Sequence, residues 1–118
     1  MKTQTLGHFG EELICKYLKN NNYKIINNNH RLGRLEIDII ATKAGRLYFF
    51  EIKTRIKNEE SIKEIPLQKS QANNLKKAAR RYATTHHINL ELINFDLIIV
   101  LLDRQKNTAT IKRYENIF

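Results

Sequence analysis

The chain has 118 residues, 42% of them hydrophobic, which suits a single domain over 1–118 built on one core. Its 21 basic and 12 acidic residues leave a formal charge of +9, a balance that favours a polyanionic partner, nucleic acid first. A lone cysteine, Cys15, excludes an intrachain disulfide; the absence of Cys/His zinc spacing, of a signal-peptide pattern and of any apolar run near the ~20 residues of a membrane helix leads us to expect a cytoplasmic protein with no membrane partner.

Residues 4–21 read as an amphipathic helix. Leu6, Phe9, Leu13, Ile14, Tyr17 and Leu18 recur at helical spacing, and the asparagines at 20–22 end it. Gly10 falls near the centre of that stripe, where glycine costs helix stability and suggests close approach of the backbone to a neighbour. Glu11 borders the stripe; it either looks into a cleft beside the sheet or is a solvated helix acid. Glu12, on the other border, and Cys15, opposite the stripe, are expected to face away from the core. Tyr23 to Ile26 start a first strand, and Asn27, Asn28 and Asn29 after it argue for irregular structure or an exposed edge. His30 and Arg31 are single polar residues of a kind usually found on surfaces, with Arg31 able to touch a phosphate.

Residues 35–42 and 46–55 are two further strands, and so short a connection makes them antiparallel. Charges interrupt both apolar runs. Strand alternation places Glu36 and Asp38 on one face, and likewise Glu51, Lys53 and Arg55. If Ala44-Gly45 is the loop, Lys43 pairs Arg46, Asp38 lies opposite Glu51, and Glu36 lies opposite Lys53. Opposed Cβ atoms lie ~4.5–5.5 Å apart, which lets two carboxylates share one cation. A four-residue turn would set Glu36 opposite Glu51, and a three-residue loop with a bulge would upset the shared face.

Residues 56–65 are charged and mixed, a loop beside this hairpin. Pro66 opens a second helix over 66–86. Leu75, Ala78, Ala79, Tyr82 and Ala83 hold core spacing there, while Lys69, Lys76, Lys77, Arg80 and Arg81 form a basic face that follows a phosphate backbone or is simply solvated. Residues 90–102 are the most apolar part, a central buried strand whose one interior charge, Asp96, reads as a structural acid. Thr108 to Tyr114 make a last strand at the sheet edge.

The grouping of Asp38, Glu51 and Lys53 has a chemical logic. Phosphodiester cleavage needs an activated water and compensation of charge on phosphate and leaving oxygen, and Mg²⁺ supplies both from one or two carboxylates plus phosphate and water. Asp38 and Glu51 provide the carboxylates, and the Ile52 carbonyl adds a neutral oxygen. Lys53 orients the water or stabilises the transition state. Glu11 completes the outer sphere or a second metal position. A cross-strand Glu36–Lys53 ion pair explains part of the same pattern without any chemistry.

Gly7-His8-Phe9-Gly10-Glu11, Asn29-His30-Arg31, Glu36-Ile37-Asp38-Ile39-Ile40-Ala41 and Phe50-Glu51-Ile52-Lys53-Thr54-Arg55 resemble the GxxGE, N-x-R, GEIDLIA and FVEVKTR motifs of the YraN-like bacterial family. Weaker matches at Ala78-Ala79, Tyr82 and Phe95-Asp96 extend the resemblance over nearly the whole chain. That family is similar to the PD-(D/E)XK nucleases. The resemblance implies a restriction endonuclease-like α/β fold, a three-layer core with a mixed sheet of about five strands flanked by helices. It implies Glu11, Asp38, Glu51 and Lys53 as the site, Mg²⁺ as cofactor with Mn²⁺ substituting, and DNA as partner, RNA not being excluded. Gln71, with Lys69 as the weaker candidate, joins the site by the same analogy, and Arg31, Arg55, Lys69, Lys76 and Arg80 are the expected nucleic-acid contacts. Two positions depart from the family: Leu35 stands where glycine is usual, and Asn94 where an arginine often precedes Phe-Asp. The expectation is an Mg²⁺-dependent, structure-selective endonuclease of DNA processing or repair, monomer or homodimer. The alternative is a non-catalytic nucleic-acid-binding or adaptor protein that keeps the nuclease fold.

Overall fold

The structure, a computed structural model, describes residues 3–33, 35–58 and 69–117. Helix α1 spans Thr3–Asn20, strand β1 Lys24–Leu32, β2 Leu35–Lys43 and β3 Arg46–Ile56; helix α2 spans Lys69–His86, β4 Ile93–Asp103 and β5 Thr108–Tyr114. Among the described residues, five strands form one sheet in chain order. The β3–β4 pair is parallel and the other three are antiparallel. A parallel pair needs a crossover, and α2 lies in it. The two helices cover opposite faces. Ile14 and Leu18 of α1 pack with Ile39, Phe50, Ile52, Ile98 and Val100. Leu75, Ala78, Ala79 and Tyr82 of α2 pack with Ile37, Ile40, Phe49 and Phe95. The result is a three-layer α/β fold.

Both helices end in the same way. Asn22 adopts a left-handed φ of 69°, Tyr23 N–H donates to Leu18 O at 2.9 Å, and Asn22 N–H donates to Lys19 O at 3.1 Å. His87, with φ 55°, repeats the pattern for α2 through Ile88 N–H to Ala83 O at 2.9 Å. These bonds satisfy carbonyls that a helix end otherwise leaves open.

The β2–β3 hairpin has the two-residue turn. Ala44 and Gly45 both carry positive φ, 51° and 78°, as a type I′ turn requires. Lys43 pairs Arg46, and the ladder runs in that register to Ile39 opposite Phe50.

The asparagines mark an exposed edge, one of the two readings: β1 continues through them to Leu32 along the sheet edge, with a register shift between Ile25 and Asn27. Other expectations are corrected. Phe9 is 44% exposed, because the buried line of α1 runs through Gly10, Ile14 and Leu18 and leaves Phe9 beside it. Cys15 is half-buried against the α1-side core and its thiol reaches Asn28 Oδ1 at 3.5 Å. Leu90–Leu92 form a 3-10 turn before β4 rather than part of the strand. Pro66 and most of the preceding loop fall at 59–68, outside the described residues.

Asp96 is fully buried and structural. Arg113 donates to its Oδ2 from Nη2 at 2.6 Å and from Nε at 3.0 Å, and Asn116 N–H donates to Oδ1 at 2.9 Å. Arg113 also donates to Tyr23 Oη at 2.7 Å and lies 5.3 Å from the ring centres of Tyr23 and Phe50. Burial alone would push the guanidinium pKa down, but the bonds to Tyr23 and Asp96 raise it. The departure at Asn94 therefore leaves Asp96 well partnered; Asn94 itself accepts two hydrogen bonds from Arg46.

Candidate functional site

The site grows from a break in the sheet. Past Ile39 and Phe50 the β2–β3 ladder stops, while β3 stays paired to β4 as far as Ile56 and Leu102. Side-chain alternation in β2 also breaks there. Ile39 packs on the α1 side, yet Ile37 and Ile40 both pack on the α2 side. Asp38 sits at the break. Across from it, Asn29 of β1 adopts a left-handed φ of 51°.

Asp38 turns into the gap. Its Oδ2 accepts from the Ile52 N–H at 2.8 Å, taking the place of a ladder bond. In an antiparallel ladder a residue's N–H and C=O face the same neighbour, so the Ile52 carbonyl faces this gap too. Asp38 and Glu51 are joined by a side-chain hydrogen bond, and both are half-buried. Burial pushes the Asp38 carboxyl up to about 6; the Ile52 N–H opposes this, and the charges of Glu11 and Glu36 add to it. Burial and the neighbouring Asp38 push Glu51 up to about 8, against the pull of Lys53. Two carboxyls this close cannot both ionise cheaply. Burial and mutual repulsion favour one proton shared between the two carboxyls.

Glu11 reaches the same end of the sheet from α1. Its pKa is raised by burial and held back by a hydrogen bond from Asn29. With its amide nitrogen facing the acids, Asn29 donates to Glu36 Oε1 at 3.1 Å and to Glu11 Oε2 at 3.3 Å. Glu36 therefore does not pair with Lys53. It lies toward α1, 3.6 Å from Arg31 Nε, its cross-strand partner in the β1–β2 register. The break at Asp38 is the reason: unbroken alternation from Ile39 would set Glu36 on the same face as Lys53, but Ile37 has crossed to the α2 side and leaves Glu36 toward α1.

The other nominated residues disperse. Arg55 is exposed and donates to Thr54 O at 2.9 Å. Arg31 is exposed beside Glu36. Lys76 and Arg80 line a cavity of about 230 Å³ with Leu90, Ile93, Phe95 and Asn116, and none of the site acids borders it. The side chains of Lys69 and Gln71 lie outside the described residues. Sequence reasoning assigned no role to Asn29, which joins two of the acids; its place in the N-x-R motif was the available signal. Among the described residues, no three His, Cys, Asp or Glu side chains converge into a ligand set. The oxygen donors at hand are two carboxylates and one carbonyl.

A family model, described as uncharacterised protein family UPF0102, matches residues 10–100. The chain belongs to this family. UPF0102 relatives include a protein of Flavobacterium psychrophilum, 33% identical over 96% of this chain and 92% of its own. Another, from Chlorobium limicola, is 37% identical over 87% of this chain and 80% of its own. A third, from Koribacter versatilis, is 35% identical over 89% of this chain and 74% of its own. The solved "Crystal structure of SSO0001" aligns with TM-score 0.43 and 18% identity over 98% of this chain and 52% of that one. The UPF0102 match covers every acid of the site, from Glu11 to Glu51. Among the described residues, no helix is long and apolar enough to cross a membrane.

Proposed function

We propose that the protein is a divalent-metal-dependent nuclease that hydrolyses phosphodiester bonds in DNA, with Mg²⁺ as the working ion and Mn²⁺ able to replace it. The observation that carries this reading is the meeting of Asp38, fixed by the Ile52 N–H, with Glu51 in the open end of the hairpin, both half-buried and both raised in pKa by burial and acidic neighbours. Such a pair is costly by itself and is relieved when a divalent cation takes the proton's place. The donor chemistry fits, since Asp38, Glu51 and the Ile52 carbonyl offer oxygens only, the ligand type that Mg²⁺ selects. When bound, the ion would acidify a water and neutralise charge on the phosphate.

The remaining tasks fall to the chain. Lys53 sits close enough to Glu51 to hold its pKa down, so its ammonium can face the charge that develops on a phosphate. The Ile52 N–H fixes the Asp38 carboxylate and leaves its other oxygen for a ligand. Asn29 holds Glu11 at the rim. The formal charge of +9 supports a polyanionic substrate.

The test is cleavage of linear, flapped and branched DNA with Mg²⁺ or Mn²⁺, run beside Asp38→Ala and Lys53→Ala. Cleavage by the native protein that both variants lose supports the reading. Cleavage that survives both places the activity elsewhere. Salt-sensitive DNA binding without turnover under any ion would favour the non-catalytic alternative.

A further inference from the structure

The acids do not sit in an isolated cup. Glu11, the acid at their rim, borders a groove between α1 and the edge strand β1. Its first part, about 370 Å³, is bordered by Glu11, Lys16, Lys19, Asn28 and Asn29. Its second part, about 600 Å³, is bordered by Lys19, Lys24, Ile26, Asn27 and Asn28. Lys19 and Asn28 belong to both, so the two parts are continuous. We propose that this groove carries a single DNA strand away from Glu11 at the rim of the site, with Lys16, Lys19 and Lys24 on its phosphates and the Asn28 amide nitrogen at a base edge.

This inference rests on the nuclease reading for where the strand begins, but the groove's chemistry stands by itself. The three lysines are exposed, and no ion pair holds them among the described residues. Two acids border the same groove: Glu12, 3.1 Å from His8 Nε2, and Glu11, which belongs to the site. From Glu11 to Lys19 the helix advances ~12 Å, and from Asn29 to Lys24 the strand advances ~16 Å, room for a few nucleotides.

Two features favour an unpaired strand over a duplex. The groove is concave, walled by a helix and a sheet edge, whereas duplex phosphates lie on a convex cylinder. Asn28 is exposed, and its amide nitrogen, unlike the oxygen that Cys15 reaches, has no protein partner among the described residues; a donor so placed suits a base edge that only an unpaired strand presents alongside its phosphates. The exposed Ile26, at 43%, adds apolar surface for a base face.

The test is fluorescence anisotropy of the full chain in EDTA, so that turnover plays no part. The probes are a fluorescein-labelled single DNA strand and its duplex. Lys16→Glu/Lys19→Glu/Lys24→Glu should weaken single-strand binding at least tenfold. It should also flatten the slope of log K against log salt by about 2, at ~0.7 for each phosphate no longer neutralised. A Lys106→Glu/Lys112→Glu control on the far edge should change neither. All five lysines are exposed, and the corresponding Lys→Gln set provides a gentler second variant if circular dichroism shows misfolding. Unchanged single-strand affinity in the groove variants, equal loss in the control, or tighter binding of the duplex would overturn the proposal. A lysine-dependent strand affinity in a protein that never cleaves would uphold the groove and remove the nuclease reading. Metal-dependent cleavage with groove variants that bind normally would do the reverse.

Discussion

Gly10 of α1 and Thr54 of β3 compete for one space: a Cβ added to Gly10 would overlap the Thr54 hydroxyl. That hydroxyl is buried and has no hydrogen-bond partner among the described residues. Leaving it so costs roughly 1–3 kcal/mol, so close packing of helix on sheet, and no polar contact, sets the spacing. The next residue, Glu11, gains its reach to the site from this approach. Gly10→Ala should therefore destabilise the protein by roughly 1–3 kcal/mol through overpacking. In a Thr54→Ala background the same change should cost clearly less, since the hydroxyl and methyl are gone and only the Cβ of residue 54, 2.9 Å away, still crowds the new methyl. Urea unfolding of the four proteins measures the coupling, and simple additivity would refute the packing account.

The carboxyl pair predicts a pH dependence of stability. Asp38 goes from 3.8 up to about 6 on folding, and Glu51 from 4.5 up to about 8. Raised acids bind protons more tightly when folded, so their contribution is complete below the unfolded values and is lost as pH rises through 6 and then 8. Metal-free protein should lose melting temperature across that window. Glu51→Gln should remove the upper step and stabilise the protein at pH 8 by roughly 1–3 kcal/mol after solvent screening. Mg²⁺ should raise the melting temperature more at pH 8 than at pH 6. A flat profile in the native protein would contradict a shared proton.

Lys53 and Arg55 share a face of β3 but should behave differently. Lys53 lies within electrostatic reach of Glu51, and Arg55 donates to the Thr54 carbonyl. Lys53→Ala should lower kcat by about 100-fold or more, the usual cost of one group that stabilises transition-state charge. Arg55→Ala should leave kcat intact and act, if at all, on KM and salt dependence. Equal losses of kcat would mean that the strand, not the ammonium, matters.

Asp96 and Arg113 form a buried ion pair far from these acids in sequence. Tyr23 and Glu115 reach the guanidinium in either variant; Asp96→Asn also keeps an acceptor for it, but Asp96→Ala removes its buried partner and should cost roughly 3–5 kcal/mol. Arg113→Met with Asp96→Leu should recover most of that loss. Failure to recover would show that the Asn116 N–H bond to Asp96, and hence the chain after β5, depends on the carboxylate itself.

What could be read beforehand divides by range. The hairpin was legible because one local choice, the two-residue turn at Ala44-Gly45, fixes every later pairing, and the approach at Gly10 was legible because glycine in an apolar stripe has few other reasons. Glu36 was misplaced because its partner is decided by a kink in β2 and by Arg31 and Asn29 on another strand. Alternation rules make no allowance for such a kink. Phe9 and Cys15 were misjudged by the rotation of α1 about its axis, which depends on where the sheet lets the helix approach. The partner of Asp96 lay 17 residues away on β5, and periodicity alone cannot name it.

The bond from the Ile52 amide to Asp38 has a use beyond holding a side chain. Most sheet amides report only on their neighbours in the ladder. This one reports on a carboxylate, so its proton shift and exchange rate should respond to anything that binds or protonates Asp38. Isotope labelling would make that single backbone signal an internal gauge of the site. It could be read in the resting protein with no substrate and no turnover, and it separates occupancy from chemistry.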